Sequence, residues 1–292
     1  LLEATKNHHE LLFACLYRAV SRACLGDYPA GSAELDQVLQ TAQASRNQNA
    51  ETMAHTALAM IHVTAGKYQE AMGAAQAALA IAEKSDRELL IPCVACYNRF
   101  KVAEKEVKDH PENPPASYAY RGRVPIHYAL DFFCEKSVLD TVQKKRVKPL
   151  SGLKVACYYG CLTVRPPKLT SVKDYENPQH MDRLMERLGA EPLPWSYKAD
   201  CCGASLVMTR TDIVRKLSGK LLAMAAEAEA DCIVTGCSMC QANLDTRQGE
   251  IEKEGGGRYE IPVLYFTELM GLALGHKDIK KWLGRHITDP VK

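Results

Sequence analysis

The chain has 292 residues, enough for about two domains, and its 47% apolar and 25% charged content is ordinary for a soluble globular protein. With 37 basic and 35 acidic residues the net charge is +2, which excludes a strongly basic nucleic-acid grip or an acidic tail as the principal role. No apolar run approaches the ~20 residues of a membrane span, no signal peptide is recognisable, and a first residue of Leu fits a fragment or a processed product.

Residues 1–87 are rich in Ala, carry Pro only at Pro29, and read as helix throughout. They also repeat. A shift of 40 residues brings Ala14, Ala19, Gly26, Tyr28, Leu39, Ala42 and Ser45 onto Ala54, Ala59, Gly66, Tyr68, Leu79, Ala82 and Ser85. Periods of this length mark stacked helical hairpins. The unit is expected to be a helix, a Gly-x-Tyr turn and a second helix, with small Ala side chains allowing close contact. The stretch Gly66-Lys67-Tyr68-Gln69-Glu70-Ala71 resembles the turn of tetratricopeptide repeats. Two such repeats fall below the number that is usually stable alone, so this piece must lean on another part of the protein.

Residues 88–150 are transitional. Leu89-Leu90-Ile91 leads into Pro92-Cys93-Val94-Ala95-Cys96, a charged helix follows, and the prolines between His110 and Pro115 predict a loop. A helix is expected over Tyr128–Gln143. The basic run Lys144–Lys148 then reads as a solvated linker.

Residues 151–292 alternate strand and helix. Lys154–Tyr158 reads as a strand. Asn177-Pro178 supplies a helix start, Met181, Leu184, Met185 and Leu188 share one face, and Gly189 ends that helix. A strand near Leu193–Trp195, a helix over about Thr211–Glu229 and a strand at Cys232–Thr235 follow. Ser238-Met239-Cys240-Gln241 reads as a capping box, Ile261–Tyr265 as the last strand and Thr267 as the cap of a final helix. This order predicts an α/β doubly wound parallel sheet behind an all-α N-terminal segment. The expected domains are thus 1–87, 88–150 and 151–292.

Twelve cysteines are many for such a chain. Cys15, Cys24, Cys134, Cys157 and Cys232 lie in apolar stretches and are expected to be packing residues. The others are grouped: Cys93 with Cys96, Cys201 with Cys202, Cys237 with Cys240, and Cys161 alone. Cys161 follows the first strand of the sheet, Cys201 and Cys202 the second, Cys237 and Cys240 the third. Ligands of open α/β sheets bind beyond the carboxyl ends of the strands, so these five thiols are expected to converge on one edge. Cys240 falls in a first helical turn, where free N–H groups favour a thiolate. Gly160, Gly203 and Gly236 allow close approach of a bulky group. Adjacent cysteines chelate a single tetrahedral ion poorly and suit a cluster in which they reach different irons. Zinc and a simple redox dithiol remain the alternatives.

Cys161, Cys201-Cys202-Gly203 and Cys237-Ser238-Met239-Cys240 together resemble the cysteine-rich CCG domain. Cys157-Tyr158-Tyr159-Gly160-Cys161, Arg165-Pro166, Cys240-Gln241-Ala242-Asn243-Leu244-Asp245 and Pro262–Leu269 resemble the B-subunit of heterodisulfide reductase. Pro92–Arg99 resembles the end of the first of the two CCG domains in that family. The resemblance covers roughly residues 88–292. It implies non-cubane [4Fe-4S] clusters that reduce a disulfide of the CoM-S-S-CoB type. Cys161, Cys201, Cys202, Cys237 and Cys240 would hold one cluster, and Cys93 and Cys96 would be the surviving ligands of another. It also implies two partners, one ferredoxin-like and one flavin-bearing, within a heterodisulfide-reductase-like complex. A small-molecule disulfide as substrate, no nucleic acid, and a reducing cytoplasm complete the expectation. The family's first half should open with a Cys and a Cys-Cys-Gly; no Cys-Cys-Gly precedes Cys93, and Cys15 and Cys24 lie in the helical repeat and lack that context. Disulfide reduction by this chain alone is therefore expected to be impaired. Gly236 also stands where the family often has Pro. The competing readings are an iron–sulfur component of a lactate- or glycolate-oxidising complex, and a repeat-based binding scaffold with a structural metal site.

Overall fold

The computed structural model describes residues 15–16, 18–20, 22–23, 27–110, 120–207 and 209–291. They form two compact units. One comprises residues up to Leu89 together with Cys96–His127, the other Leu90–Ala95 together with Tyr128 onward.

In the first unit, α1 (Tyr28–Ala44), α2 (Gln48–Thr64) and α3 (Tyr68–Lys84) are 17 residues each. The sequence repeat reappears in the backbone: α1 and α3 begin and end forty residues apart. Their ends match atom for atom. The Ser45 and Ser85 hydroxyls donate back to Thr41 O and Ile81 O at 2.8 and 2.7 Å. Arg46 and Asp86 then take positive φ of 54° and 50°. The next N–H groups, Asn47 and Arg87, return to Ala42 O and Ala82 O. Left-handed residues that close helices in this way satisfy otherwise orphaned carbonyls. Ala42, Ala54, Ala77 and Ala78 are fully buried, as close helix contact requires. The Glu83 carboxylate accepts the N–H groups of Arg121 and Arg123 at 2.8 Å each, which ties α3 to the residues just before β2; the loop expected between His110 and Pro115 lies outside the described residues. Two short strands, β1 (Leu89–Ile91) and β2 (Ile126–Tyr128), flank α4 (Val94–Asp109).

The second unit is built on a four-stranded parallel sheet of β3 (Lys154–Tyr158), β4 (Glu191–Pro192), β5 (Cys232–Thr235) and β6 (Val263–Tyr265), in the order β4-β3-β5-β6. Tyr158 lies opposite Thr235, and Thr235 opposite Tyr265, so three strands end level. Val155, Ala156, Cys157, Ile233, Val234 and Val263 are wholly buried, as expected of a sheet covered on both faces.

Several elements differ from expectation for local reasons. The helix expected over Tyr128–Gln143 is two helices, α5 (Ala129–Phe133) and α6 (Lys136–Lys145), because Glu135 turns extended between them. The helix α9 (His180–Leu188) starts after Pro178. Its first N–H groups are already taken, since Met181 and Asp182 donate to the Tyr159 hydroxyl at 2.7 and 3.2 Å. Gly189 ends it in the left-handed region, φ 95°, as read from the sequence. β4 stops before the predicted 193–195. Pro194 has no N–H to pair, and the Trp195 indole N–H donates to Cys157 O instead, at 3.0 Å. Between β3 and α9 lie α7 (Cys161–Val164) and α8 (Pro167–Thr170). Next come α10 (Thr211–Glu227), α11 (Ser238–Thr246) and α12 (Gln248–Lys253), then α13 (Phe266–Ala273) and α14 (Ile279–Leu283) after β6. The cap of α11 is Cys237 and not Ser238; the start of α13 is closed by Glu268, which accepts Tyr265 N–H at 2.8 Å, and not by Thr267.

Candidate metal centre

Three loops leave the carboxyl edge of the sheet, and each carries cysteine. After β3, Gly160 adopts φ 70° and Cys161 opens a short helix. After β4, the chain bends back so that Lys198 O accepts both Tyr159 N–H and Gly160 N–H, at 2.8 and 3.0 Å. That pair of bonds brings the Cys201-Cys202 segment against the Cys161 loop. After β5, Gly236 leads to Cys237 and Cys240.

The thiols meet pairwise. Cys161 Sγ lies 3.7 Å from Cys201 Sγ, and Cys202 Sγ lies 3.5 Å from Cys240 Sγ. Cys237 Sγ accepts Cys240 N–H at 3.3 Å, and Cys201 Sγ accepts Gly203 N–H at the same distance. A Cβ on Gly160 would stand 3.0 Å from Cys240 Sγ, so a side chain there would crowd the sulfur. All five expected residues of the last third therefore join one connected constellation. Among the described residues, no three His, Cys, Asp or Glu side chains close on a point that could hold one metal ion.

The electrostatics divide the thiols into two kinds. Cys201 falls to about 6, chiefly because Cys161 donates to its sulfur, with Gly203 N–H assisting against burial. Cys202 falls to about 7 through its bond with Cys240, helped by Ala204 N–H and Asn243 against burial. Cys161 and Cys240 are pushed up, first because each supplies the proton of its pair and then by burial. Cys201 is thus mainly, and Cys202 about half, thiolate at neutral pH, each held beside a thiol. In the metal-free chain the exposed Cys201 should alkylate with a midpoint near pH 6. Its reaction is lost as pH falls through that value, where an ordinary thiol already fades below about 8.5. Peptide mass spectrometry across pH 5–9 reads this, and a midpoint near 8.5 would contradict it.

The supporting network was not visible as a motif. Lys198 and Asp182 are buried and form an ion pair through Lys198 Nζ and Asp182 Oδ1 at 2.5 Å. The Tyr159 hydroxyl donates to the other oxygen of Asp182 at 2.6 Å. Asn243 Nδ2 donates to Cys202 O at 2.8 Å, and Ser218 does so at 3.3 Å. The Tyr158 hydroxyl donates to Asp200 O at 2.8 Å, and its ring meets Trp195 edge-on.

Cys93 and Cys96 are both half-buried. Cys93 belongs to the second unit, where its charge acts on Tyr265; Cys96 belongs to the first. Cys157 and Cys232 are buried in the sheet as expected, while Cys15 and Cys134 are half-buried and Cys24 lies outside the described residues. Two further residues beside Cys237 were missed, Tyr128 and Tyr265, whose hydroxyls both donate to Gly236 O. A signal existed: Val124-Pro125-Ile126-His127-Tyr128 and Ile261-Pro262-Val263-Leu264-Tyr265 share one pattern.

Residues 155–245 match the family described as a cysteine-rich domain, CCG. The chain is 30% identical over 218 residues to the 8-methylmenaquinol:fumarate reductase membrane anchor subunit of Wolinella succinogenes, covering 73% of this chain and 77% of that protein. It is 30% identical over 207 residues to the B-subunit of the ferredoxin:CoB-CoM heterodisulfide reductase of Methanosarcina mazei, covering 68% and 69%. A protein of Archaeoglobus profundus described as like the heterodisulfide reductase B-subunit is 28% identical over 222 residues, covering 72% and 74%. The crystal structure of a hypothetical protein from Helicobacter pylori superposes with a TM-score of 0.58 at 14% identity. That likeness concerns the fold alone. It covers 75% of this chain, which spans less than half, 42%, of the Helicobacter protein. No described helix is long and apolar enough to cross a membrane.

Proposed function

Because the chain belongs to the heterodisulfide reductase B-subunit family, and so is part of an iron–sulfur oxidoreductase, we propose that its last third holds one non-cubane [4Fe-4S] cluster at which a small-molecule disulfide is reduced. The carrying observation is the pair of sulfur contacts, Cys161 with Cys201 and Cys202 with Cys240, at one edge of the sheet. Five thiols exceed the four that zinc or a cubane takes; four of them meet in two pairs, and the fifth, Cys237, is tied to Cys240 through its N–H. This donor set fits a cluster with several irons better than zinc.

A cluster bound here would pass on, one at a time, the two electrons that a redox partner delivers, which with two protons convert a disulfide into two thiols. The chain's own residues do the rest. Cys161, Cys201, Cys202, Cys237 and Cys240 are the ligands. The N–H groups of Gly203 and Cys240 stabilise negative charge on the sulfurs of Cys201 and Cys237. Gly160 leaves the space beside Cys240 open. Asn243 and Ser218 hold the peptide of Cys202, and Lys198 O fixes the turn into Cys161. Outer-shell bonds of this kind tune affinity and potential.

Cys93 and Cys96 supply part of a second site, and no Cys-Cys-Gly stands before them in this sequence to complete it. The chain alone is accordingly a weak disulfide reductase. Electrons arrive from ferredoxin-like and flavin-bearing partners in a larger complex, in a reducing cytoplasm where the thiols stay available. The likeness to a component of a fumarate reductase favours a second reading, in which the same cluster relays electrons to a partner without binding a disulfide. Electron paramagnetic resonance of the reconstituted chain separates the two. A signal that changes on adding a small thiol or disulfide supports reduction at this site. An unchanged signal with full iron content leaves only the relay.

A further inference from the structure

The two tyrosines beside Gly236 occupy matching positions in two matching pieces of chain. Tyr128 ends β2 and precedes α5; Tyr265 ends β6 and precedes α13. Their backbones agree, with φ −79° and ψ 133° against φ −76° and ψ 140°. The strand pairing agrees too. Leu89, four residues before Cys93, donates its N–H to Pro125 O, three before Tyr128. Ile233, four residues before Cys237, donates to Pro262 O, three before Tyr265, and both bonds are 2.9 Å. Each piece is a strand, a Cys-x-x-Cys at a helix start, then a neighbouring strand ending in Tyr.

Each tyrosine reaches across to the other piece, and Tyr265 serves its own as well. Tyr128 donates to Gly236 O, the carbonyl just before Cys237. Tyr265 reaches Pro92 O, the carbonyl just before Cys93, and also Gly236 O at 2.7 Å. A carbonyl oxygen has two lone pairs, so Gly236 O can receive both phenols, while the single proton of Tyr265 is shared between two carbonyls. Gly236 has a definite reason to lack a side chain here: its Cβ would lie 2.5 Å from the Tyr128 hydroxyl and 3.0 Å from Leu130.

We propose that Tyr128 and Tyr265 are positioning residues exchanged between two cysteine half-sites, clamping the Pro92-Cys93 and Gly236-Cys237 peptides into one body. The clamp sets where the thiol of Cys237 points and fixes the separation of Cys93 from it. The placement of Cys237 as a cluster ligand rests on the function proposed above; the clamp itself does not.

The test uses the full chain and the variants Tyr128→Phe and Tyr265→Phe, which keep the rings and remove only the hydroxyls. In the metal-free protein, timed alkylation followed by peptide mass spectrometry reads each thiol separately. Tyr128→Phe should speed alkylation of Cys237 about tenfold, and Tyr265→Phe that of Cys237 and Cys93, through the loss of one of the two donors to Gly236 O and, for Tyr265, of the donor to Pro92 O. Cys232, buried in β5, should keep its rate. Unchanged rates at Cys93 and Cys237 would overturn the clamp, and so would equal acceleration at Cys232, which reports general loosening. In the loaded chain, both variants should keep the wild-type iron content and shift the paramagnetic signal; an unshifted signal also counts against the clamp. If the wild-type chain takes up no iron and sulfide, the proposed function fails, and the alkylation result decides the clamp by itself.

Discussion

Cys240→Ala should reduce the iron bound after anaerobic reconstitution by more than about tenfold, the lower end of what loss of supporting contacts alone removes from metal sites. Cys240 is the hub of the constellation. Its sulfur contacts Cys202, its N–H donates to Cys237, and Gly160 is bare because that sulfur stands against it. Removing it breaks the sulfur contact between two of the three loops and leaves Cys202 without the partner that lowers its pKa. The fold should survive. The side chain is small, and the cavity left behind costs about 1–2 kcal/mol at a buried position. Iron analysis alongside urea unfolding measures both effects. Retention of wild-type iron would remove Cys240 from the ligand set. Iron loss accompanied by collapse of the fold would have to be checked against Cys240→Ser, which keeps the volume.

The second large effect is on stability. Lys198→Met should destabilise the metal-free chain by about 3–5 kcal/mol, the usual consequence of leaving one member of a buried ion pair without its partner. Asp182 would remain buried with, among the described residues, the Tyr159 hydroxyl as the side-chain donor left to it. Because the backbone carbonyl of Lys198 holds the Tyr159 and Gly160 N–H groups, the Cys161 loop should loosen as well, and Cys161 should alkylate faster. Adding Asp182→Leu should recover most of the stability, since replacing both charges removes the unpaired one. A loss below about 1 kcal/mol for Lys198→Met would mean that water reaches Asp182 and that the pair does not anchor this loop.

Much of this arrangement was legible beforehand. The strand-to-helix phase placed Cys161, Cys201, Cys202, Cys237 and Cys240 after consecutive strands, and parallel topology then required them to share an edge. The forty-residue repeat located the ends of two helices, because Ser45 and Ser85 close them with the same bonds. What escaped depended on contacts between residues distant in sequence. The start of α9 is set by the Tyr159 hydroxyl, which no local pattern near Asn177-Pro178 reveals. β4 is short because Pro194 cannot donate and Trp195 substitutes its indole. The break in the helix after Phe133 carries neither Gly nor Pro to announce it. The Tyr128 and Tyr265 pair had a sequence signal, but its meaning appears only when each hydroxyl is seen on the other piece's carbonyl.

Sulfurs drawn from three loops should jointly enclose a cluster of several irons, and the most direct test is elemental. The full chain, reconstituted without oxygen and freed of loosely held metal, should contain about four irons and four acid-labile sulfides per polypeptide. One zinc per polypeptide with no sulfide would contradict the account.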